Sequence, residues 1–305
     1  MRLFRCVGSV LAVLGFAALV AGCSDDSPPA SQPEAVVDKT VKTEDSGKPA
    51  GESMAAGSDS AANDSQPFIP PGQQTGKPFV LQMTPQIKME FAWTPPGDYM
   101  MGLADGSNGL PRKRVSFDKP FYMGIYEVTQ EQWQAVMGGN PSLTRGDKYP
   151  VERVSWTAAQ EFVRKMNEKY GSSGKKFDLP TEAQWEYCCR GGRLMKLDSS
   201  DDRSRIDQYA WMGGNSVMNG GPSLHPVGQK KANDWGLYDM QGNVAEWCKD
   251  PVRGDDAAAD EEMHAVRGGN YHGGFSECLS TSRVPRRDDV KLRADGLRLT
   301  CTLTQ

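Results

Sequence analysis

Apolar and polar positions divide the chain into three stretches. Positions 11–20 are a short apolar run behind Arg2 and Arg5, and positions 24–76 are built of Ser, Ala, Pro, Gly, Asp, Glu and Lys with almost no aromatic residue. From Pro78 onward apolar residues return at the spacings of regular structure. Phe79-Val-Leu-Gln-Met83, Met89-Glu-Phe-Ala-Trp93 and Tyr99-Met-Met-Gly102 read as strands, with a turn at Pro95-Pro-Gly97, and alternation runs on through 115–126. Thr129 followed by Gln132 forms a capping box and predicts a helix over 130–137, stopped by Gly138-Gly-Asn-Pro141. Tyr149-Pro-Val-Glu-Arg-Val-Ser155 is extended. A second helix is predicted over 158–169, capped by Ser155 or Thr157, with Ala159, Phe162, Val163 and Met166 forming a core stripe. Thr181 caps a shorter piece over 182–189 that ends at Gly191-Gly192. The remainder is rich in Gly, Asn and Asp, with brief strand-like pieces. Two main helices in a largely irregular chain predict an α+β fold with much coil.

The first two stretches are not fold. A positive start, an apolar run and Val20-Ala-Gly-Cys23 read as an export signal. They resemble the bacterial lipobox, in which cleavage before the cysteine leaves a thiol that carries lipid. The expected division is a signal peptide at 1–22, lipidated Cys23 with a flexible tether over 23–77, and a folded domain at 78–305. The tether has too little apolar surface to offset the entropy of ordering. Ser24 after the cysteine resembles the default for outer-membrane sorting, so the expected location is an outer-membrane lipoprotein facing the periplasm of a Gram-negative bacterium.

Charge and composition narrow the function classes. The net charge is −4 over 305 residues with no basic block, which argues against a nucleic-acid partner. There are three histidines, and no Gly-rich phosphate loop or recognisable Ser-His-Asp order. Beyond the leader five cysteines remain, Cys188, Cys189, Cys248, Cys278 and Cys301. In an exported chain these allow two bridges and a free thiol, and some bridge is expected.

The densest stretch is Trp235-Gly-Leu-Tyr-Asp-Met-Gln-Gly-Asn-Val-Ala-Glu-Trp247. Gly242-Asn243 reads as a turn, since both residues tolerate positive φ. Such a turn can gather Asp239, Glu246 and backbone carbonyls around a hard cation. The same residues also suit a tight turn with a solvated Asp and a Glu bonded to amides.

Further motifs keep a fixed order: Phe121-Tyr-Met-Gly-Ile-Tyr-Glu-Val-Thr129, Pro150-Val-Glu-Arg-Val-Ser-Trp156, Leu179-Pro-Thr-Glu-Ala-Gln-Trp-Glu-Tyr187, the stretch 236–247, and Arg267-Gly-Gly269. Together they resemble the formylglycine-generating enzyme, or sulfatase-modifying factor, family over about 91–299. The resemblance implies a coil-rich, C-type-lectin-like fold with small twisted sheets. It implies a structural Ca²⁺ on Asp239, Gly242, Val244 and Glu246. The family's oxidase chemistry uses copper between two cysteine thiolates, at positions held here by Gly273 and Cys278. The family's serine after Gly-Gly is Asn270, and the tryptophan before the Glu of the calcium loop is Ala245. One thiolate does not make a two-thiolate copper site, so no catalytic residue is assigned, copper is not expected, and Asn270, Gly273 and Cys278 are read as a vestigial pocket. Arg267, Arg283, Arg298 and Asp295-Gly296 are expected to tie loops together. Asp178, Glu182 and Glu186 are assigned to capping and the helix dipole. The expected function is a non-catalytic binding or regulatory protein, held at the membrane by lipid and acting on a protein partner of the cell envelope. A type VI secretion regulator upstream of a threonine kinase is one such role. The alternative is a formylglycine-generating oxidase or a related periplasmic oxidoreductase.

Overall fold

The computed structural model describes residues 76–103, 112–171, 174–191, 203–218, 220–252 and 262–303. The apolar leader, Cys23 and most of the tether lie outside the described residues. In chain order the first strands are β1 (Phe79–Gln82), β2 (Lys88–Thr94), β3 (Gly97–Met101), β4 (Lys113–Phe117) and β5 (Phe121–Gly124). Two helices follow, α1 (Gln130–Met137) and α2 (Trp156–Tyr170), then β6 (Lys175–Asp178), α3 (Glu182–Arg190) and the single turn α4 (Arg203–Ile206). The last part holds β7 (Val217–Met218), β8 (Gly221–Pro222), β9 (Ala245–Pro251), β10 (Met263–Arg267), β11 (Arg283–Arg287), β12 (Asp295–Gly296) and β13 (Thr300–Leu303). No described helix is long and apolar enough to cross a membrane.

The main sheet has the order β1-β2-β5-β13-β6 and is antiparallel throughout. Its last strand in sequence, β13, lies between β5 and β6, inside the sheet whose edge is the first strand, β1. The helices cover this sheet. Trp133 of α1 stacks on Phe162 of α2 with ring centroids 5.0 Å apart. Ala159, Phe162, Val163 and Met166 are the buried face of α2, as the 3.6-residue spacing predicts. Each large member of that face contributes about 1.5–3 kcal/mol on burial. Ser155, not Thr157, is the cap, accepting from Ala158 N at 3.2 Å. Thr129 and Thr181 both close full capping boxes.

Three sequence expectations change. The alternation over 115–126 does not form one strand. It splits at Asp118-Lys119-Pro120 into β4, which pairs with β3 in a separate two-stranded sheet, and β5 of the main sheet. Proline has no N–H for a ladder, and the break falls there. The segment over 182–189 is a third principal helix rather than a minor piece. Trp185 to Arg190 are all buried, so α3 has no single apolar stripe to betray it. The Gly- and Asn-rich remainder contains a four-stranded sheet, β11-β10-β9-β12, with β12 parallel to β9. The first four residues of β9 are buried on both faces, which removes the alternation that marks a half-exposed strand.

The cysteines also depart from expectation. All five described cysteines are free and buried, with no disulfide among them. Cys188, Cys189 and Cys248 fill one apolar cluster with Trp185, Tyr187 and Trp235. They act there as small core residues.

Candidate functional site

The stretch between Trp235 and Trp247 is a buried loop in unusual backbone geometry. Asp239, Gly242 and Asn243 have φ of 51°, 77° and 56°. These are residue types that enter the left-handed region most readily. At Gly242 a side chain is excluded outright, since a Cβ would lie 2.1 Å from Trp211 O. The loop is pinned by Gly242 N donating to Gly268 O at 2.8 Å.

Beneath it lies Glu127, which the sequence reading did not single out. Its carboxylate accepts from Val244 N at 2.9 Å and from Asn243 Nδ2 at 2.8 Å. Burial holds the Glu127 carboxyl well above the usual range, and the charges of Asp239 and Glu246 add to the effect.

Both carboxylate oxygens of Glu246 have donors within the chain. Arg298 Nη2 donates to its Oε1 at 2.7 Å, Arg298 Nε reaches both oxygens at 3.1 Å, and Trp185 Nε1 donates to Oε2 at 2.8 Å. Three N–H groups thus make four contacts to the carboxylate, the Arg298 Nε–H being shared between its two oxygens. Arg298 spends its remaining donors on Gly124 O, Ile125 O and Tyr238 O at 2.8–2.9 Å. One guanidinium thus ties the end of β5, the loop and β9 together, as expected of the closing arginines. Glu246 is its counter-ion.

Asp239 behaves differently. Its Oδ2 accepts from Gly228 N at 2.6 Å, while its Oδ1 is buried without a hydrogen-bond partner. Burial raises its carboxyl to about 6. A void of about 10 Å³, the size of one water-sized particle, is lined by Asp239, Asn233, Gln241 and Lys231 among others. Gly242, Val244 and Glu246 do not line it. Of the four expected calcium ligands, Asp239 alone has a carboxylate oxygen without a hydrogen-bond partner. The buried charges fit an added cation, because the carboxylates of Glu127, Asp239 and Glu246 share the one buried guanidinium of Arg298, with Lys230 acting on Asp239 from a partly exposed position. Among the described residues no group of three or more His, Cys, Asp or Glu side chains is arranged to hold a metal ion.

A second buried network lies across β10. Arg267 donates to Glu186 Oε2 at 2.7 Å and to Ser280 O at 2.8 Å, with Glu182 Oε2 at 3.4 Å. Arg283 donates to Glu182 Oε1 at 2.8 Å, and Arg190 to Glu186 Oε1 at 2.8 Å. Glu182 and Glu186 are thus ion-pair partners of three arginines, a stronger reason for their presence than capping. Lys249 sits on Asp178 at 2.5 Å.

The Asn270, Gly273 and Cys278 positions come together in one turn. Asn270 Oδ1 accepts from His272 N at 3.0 Å and Gly273 N at 3.2 Å, and Gly273 O accepts from Gly213 N at 2.9 Å. A Cβ on Gly273 would lie 3.0 Å from Glu277 Oε2, so a carboxylate fills space beside the missing side chain. Cys278 is fully buried and its thiol is pushed up to about 12, chiefly by burial and then by the charge of Glu277. A thiol raised in this way is poorly suited to nucleophilic attack in the absence of a metal.

Comparison with known proteins places this architecture. The chain is 35% identical to chaperone protein LppX of Paenibacillus barcinonensis over 42% of this chain and 61% of that protein. It is 34% identical to the formylglycine-generating enzyme of Streptomyces coelicolor over 40% and 39% of the two chains. It is 29% identical to the inactive C-alpha-formylglycine-generating enzyme 2 of Bos taurus over 47% and 46%. The chain thus spans less than two thirds of the length of each of these relatives. Among solved structures, Treponema denticola variable protein 1 superposes with a TM-score of 0.64 at 29% identity, covering 74% of this chain and 99% of that one. PvdO from Pseudomonas aeruginosa shares the fold, with a TM-score of 0.62 at 23% identity over 75% and 100%. The family model for the sulfatase-modifying factor enzyme 1-like domain matches residues 80–302, and the chain belongs to that family.

Proposed function

We propose that this protein is a non-catalytic binding or regulatory module on the sulfatase-modifying factor scaffold, anchored by lipid at Cys23 outside the cytoplasm. The observation that carries the reading is the pocket itself. Gly273 supplies no thiolate, and Cys278 is buried with its thiol pushed up to about 12. Relatives named as a chaperone and as an inactive enzyme support a role for this fold without oxidase chemistry. The apolar leader and Val20-Ala-Gly-Cys23 support export and lipid anchoring, and Ser24 is the feature that favours the outer membrane. The finer role is a contact with a protein partner in the cell envelope, of the kind that regulates type VI secretion upstream of a threonine kinase.

The same reading assigns a structural Ca²⁺ to the loop around Asp239. Asp239 supplies the free carboxylate oxygen, with the carbonyls of Gly242 and Val244 as neighbouring oxygen donors. When bound, the ion supplies positive charge to a buried cluster that has too little of it.

Competition titration with Cu(I) tests the non-catalytic reading. The full chain should show no stoichiometric, thiolate-type copper site, and Cys278→Ser should leave weak binding unchanged. A tight site with one copper per chain that Cys278→Ser abolishes would overturn it.

A further inference from the structure

A cavity of about 480 Å³ opens where the N-terminus of α2 meets the sheet of β9, β10 and β11. Among the described residues its apolar wall is Trp156, Pro251, Val252 and Met263, and its polar groups are Glu262, His264 and Asp288. That volume and mixture are those of a small-ligand site. The cavity has a structural origin. Between His264 and Val266 the pairing with β9 slips, so that Trp247 faces Val266 but Pro251 faces His264. The extra residues of β9 bend it away from β10.

His264 and Asp288 are held in place by their neighbours. Trp156 lies flat on His264, with ring centroids 3.7 Å apart and planes within 13°. Its Nε1 donates to Cys248 O at 3.0 Å, which fixes the indole. His264 is 7% exposed, and its Nδ1 lies 2.6 Å from Asp288 Oδ1. The main chain of Asp288 is held in turn, its carbonyl accepting from Thr157 N and its amide donating to Glu262 O, both at 3.3 Å.

This arrangement dictates a tautomer. The Asp288 carboxylate can only accept, so the imidazole proton sits on Nδ1, and in the neutral ring Nε2 is left as an acceptor. Among the described residues nothing occupies Nε2, although the ring is more than nine-tenths buried and lines the cavity. Glu262 and Asp288 add carboxylate oxygens. The arginine in register with Met263, Arg287, pairs with Asp289 and does not line the cavity. The described polar side chains of the cavity therefore present acceptors and negative charge against an apolar wall.

We propose that this cavity binds an alkylammonium group on an apolar stem, with His264 Nε2 and the Glu262 and Asp288 carboxylates as acceptors. A free diamine and a lysine side chain share that chemistry. The site stands apart from the Asp239 loop and from Cys278 and does not depend on the reading of either.

The test is a titration of the full chain with cadaverine and with Nα-acetyl-lysine methylamide, using pentanediol and glutarate as controls. Heat and the imidazole ¹⁵N resonances are followed, which the three histidines keep assignable. Saturable binding of either amine with a shift at His264 Nε2 is expected, and the tighter of the two identifies the source. Glu262→Gln, at an exposed residue, should weaken it by about threefold. Asp288→Asn, which removes the carboxylate that sets the tautomer, should weaken it by about tenfold. No saturation by either amine into the millimolar range, equal binding of pentanediol, or an unmoved Nε2 resonance would overturn the proposal. If Asp288→Asn fails to fold, an unchanged affinity in Glu262→Gln overturns it instead.

Discussion

Asp239 offers the sharpest test of how the central loop is balanced. Its carboxyl is raised from 3.8 to about 6, first by burial. A shift of about 2 units corresponds to about 3 kcal/mol between the neutral and charged forms. The sign follows from proton counting. Between the two values the folded state binds more protons than the unfolded chain, so stability is highest below pH 4 and falls as pH rises through about 6. Asp239→Asn mimics the protonated form. It keeps an acceptor for Gly228 N, and Asn tolerates the φ of 51° as readily as Asp. In chelator at pH 7 the variant should therefore be more stable than the parent by about 3 kcal/mol, or about 6–12 °C in a domain of this size. At pH 4 the difference should vanish. With Ca²⁺ in excess the order should reverse at pH 7, because the ion binds the folded parent through the charged carboxylate. Urea unfolding of both proteins at several pH values, with chelator and with Ca²⁺, measures all of this. A variant less stable than the parent in chelator at pH 7, or a difference independent of pH, would refute the electrostatic reasoning. Equal stability of the parent with and without Ca²⁺ would remove the cation.

Other perturbations have distinct outcomes. Arg298→Met strips the counter-ion from buried Glu246 and leaves three carbonyls without their donor; denaturant titration should show a loss of about 3–5 kcal/mol. Gly242→Ala combines a φ of 77° with a Cβ 2.1 Å from Trp211 O, and should cost about 2–4 kcal/mol in the same assay. Native-state alkylation followed by mass spectrometry should leave Cys188, Cys189, Cys248, Cys278 and Cys301 unmodified until the protein is unfolded, since each is buried with a raised thiol. Rapid labelling of Cys278 in the folded chain would contradict the inert pocket.

What could be read in advance followed local chemistry. Thr129 with Gln132, and the stripe of Ala159, Phe162, Val163 and Met166, are written within one or two turns, and both helices form where those signals lie. The Gly242-Asn243 turn was legible for the same reason. The partners of that turn were not. Glu127 is one polar residue between Tyr126 and Val128, and its contact with Val244 spans 117 positions. No local pattern announces such a pairing. The resemblance implies Glu246 as a cation ligand, and its spacing from Asp239 allows that; its pairing with Arg298 and Trp185 spans 52 and 61 positions, and no local pattern announces it. The cavity at His264 depends on a slipped register between β9 and β10, and spacing along a single strand carries no trace of that.

The central claim is that the scaffold persists here without the oxidase chemistry of its enzymatic relatives. It is tested most directly by incubating the purified full chain with Cu(I), oxygen and a cysteine-containing sulfatase peptide, and weighing the peptide by mass spectrometry. The peptide cysteine should remain a thiol or form disulfides, with no aldehyde product. Conversion of that cysteine to formylglycine over repeated turnovers would contradict it.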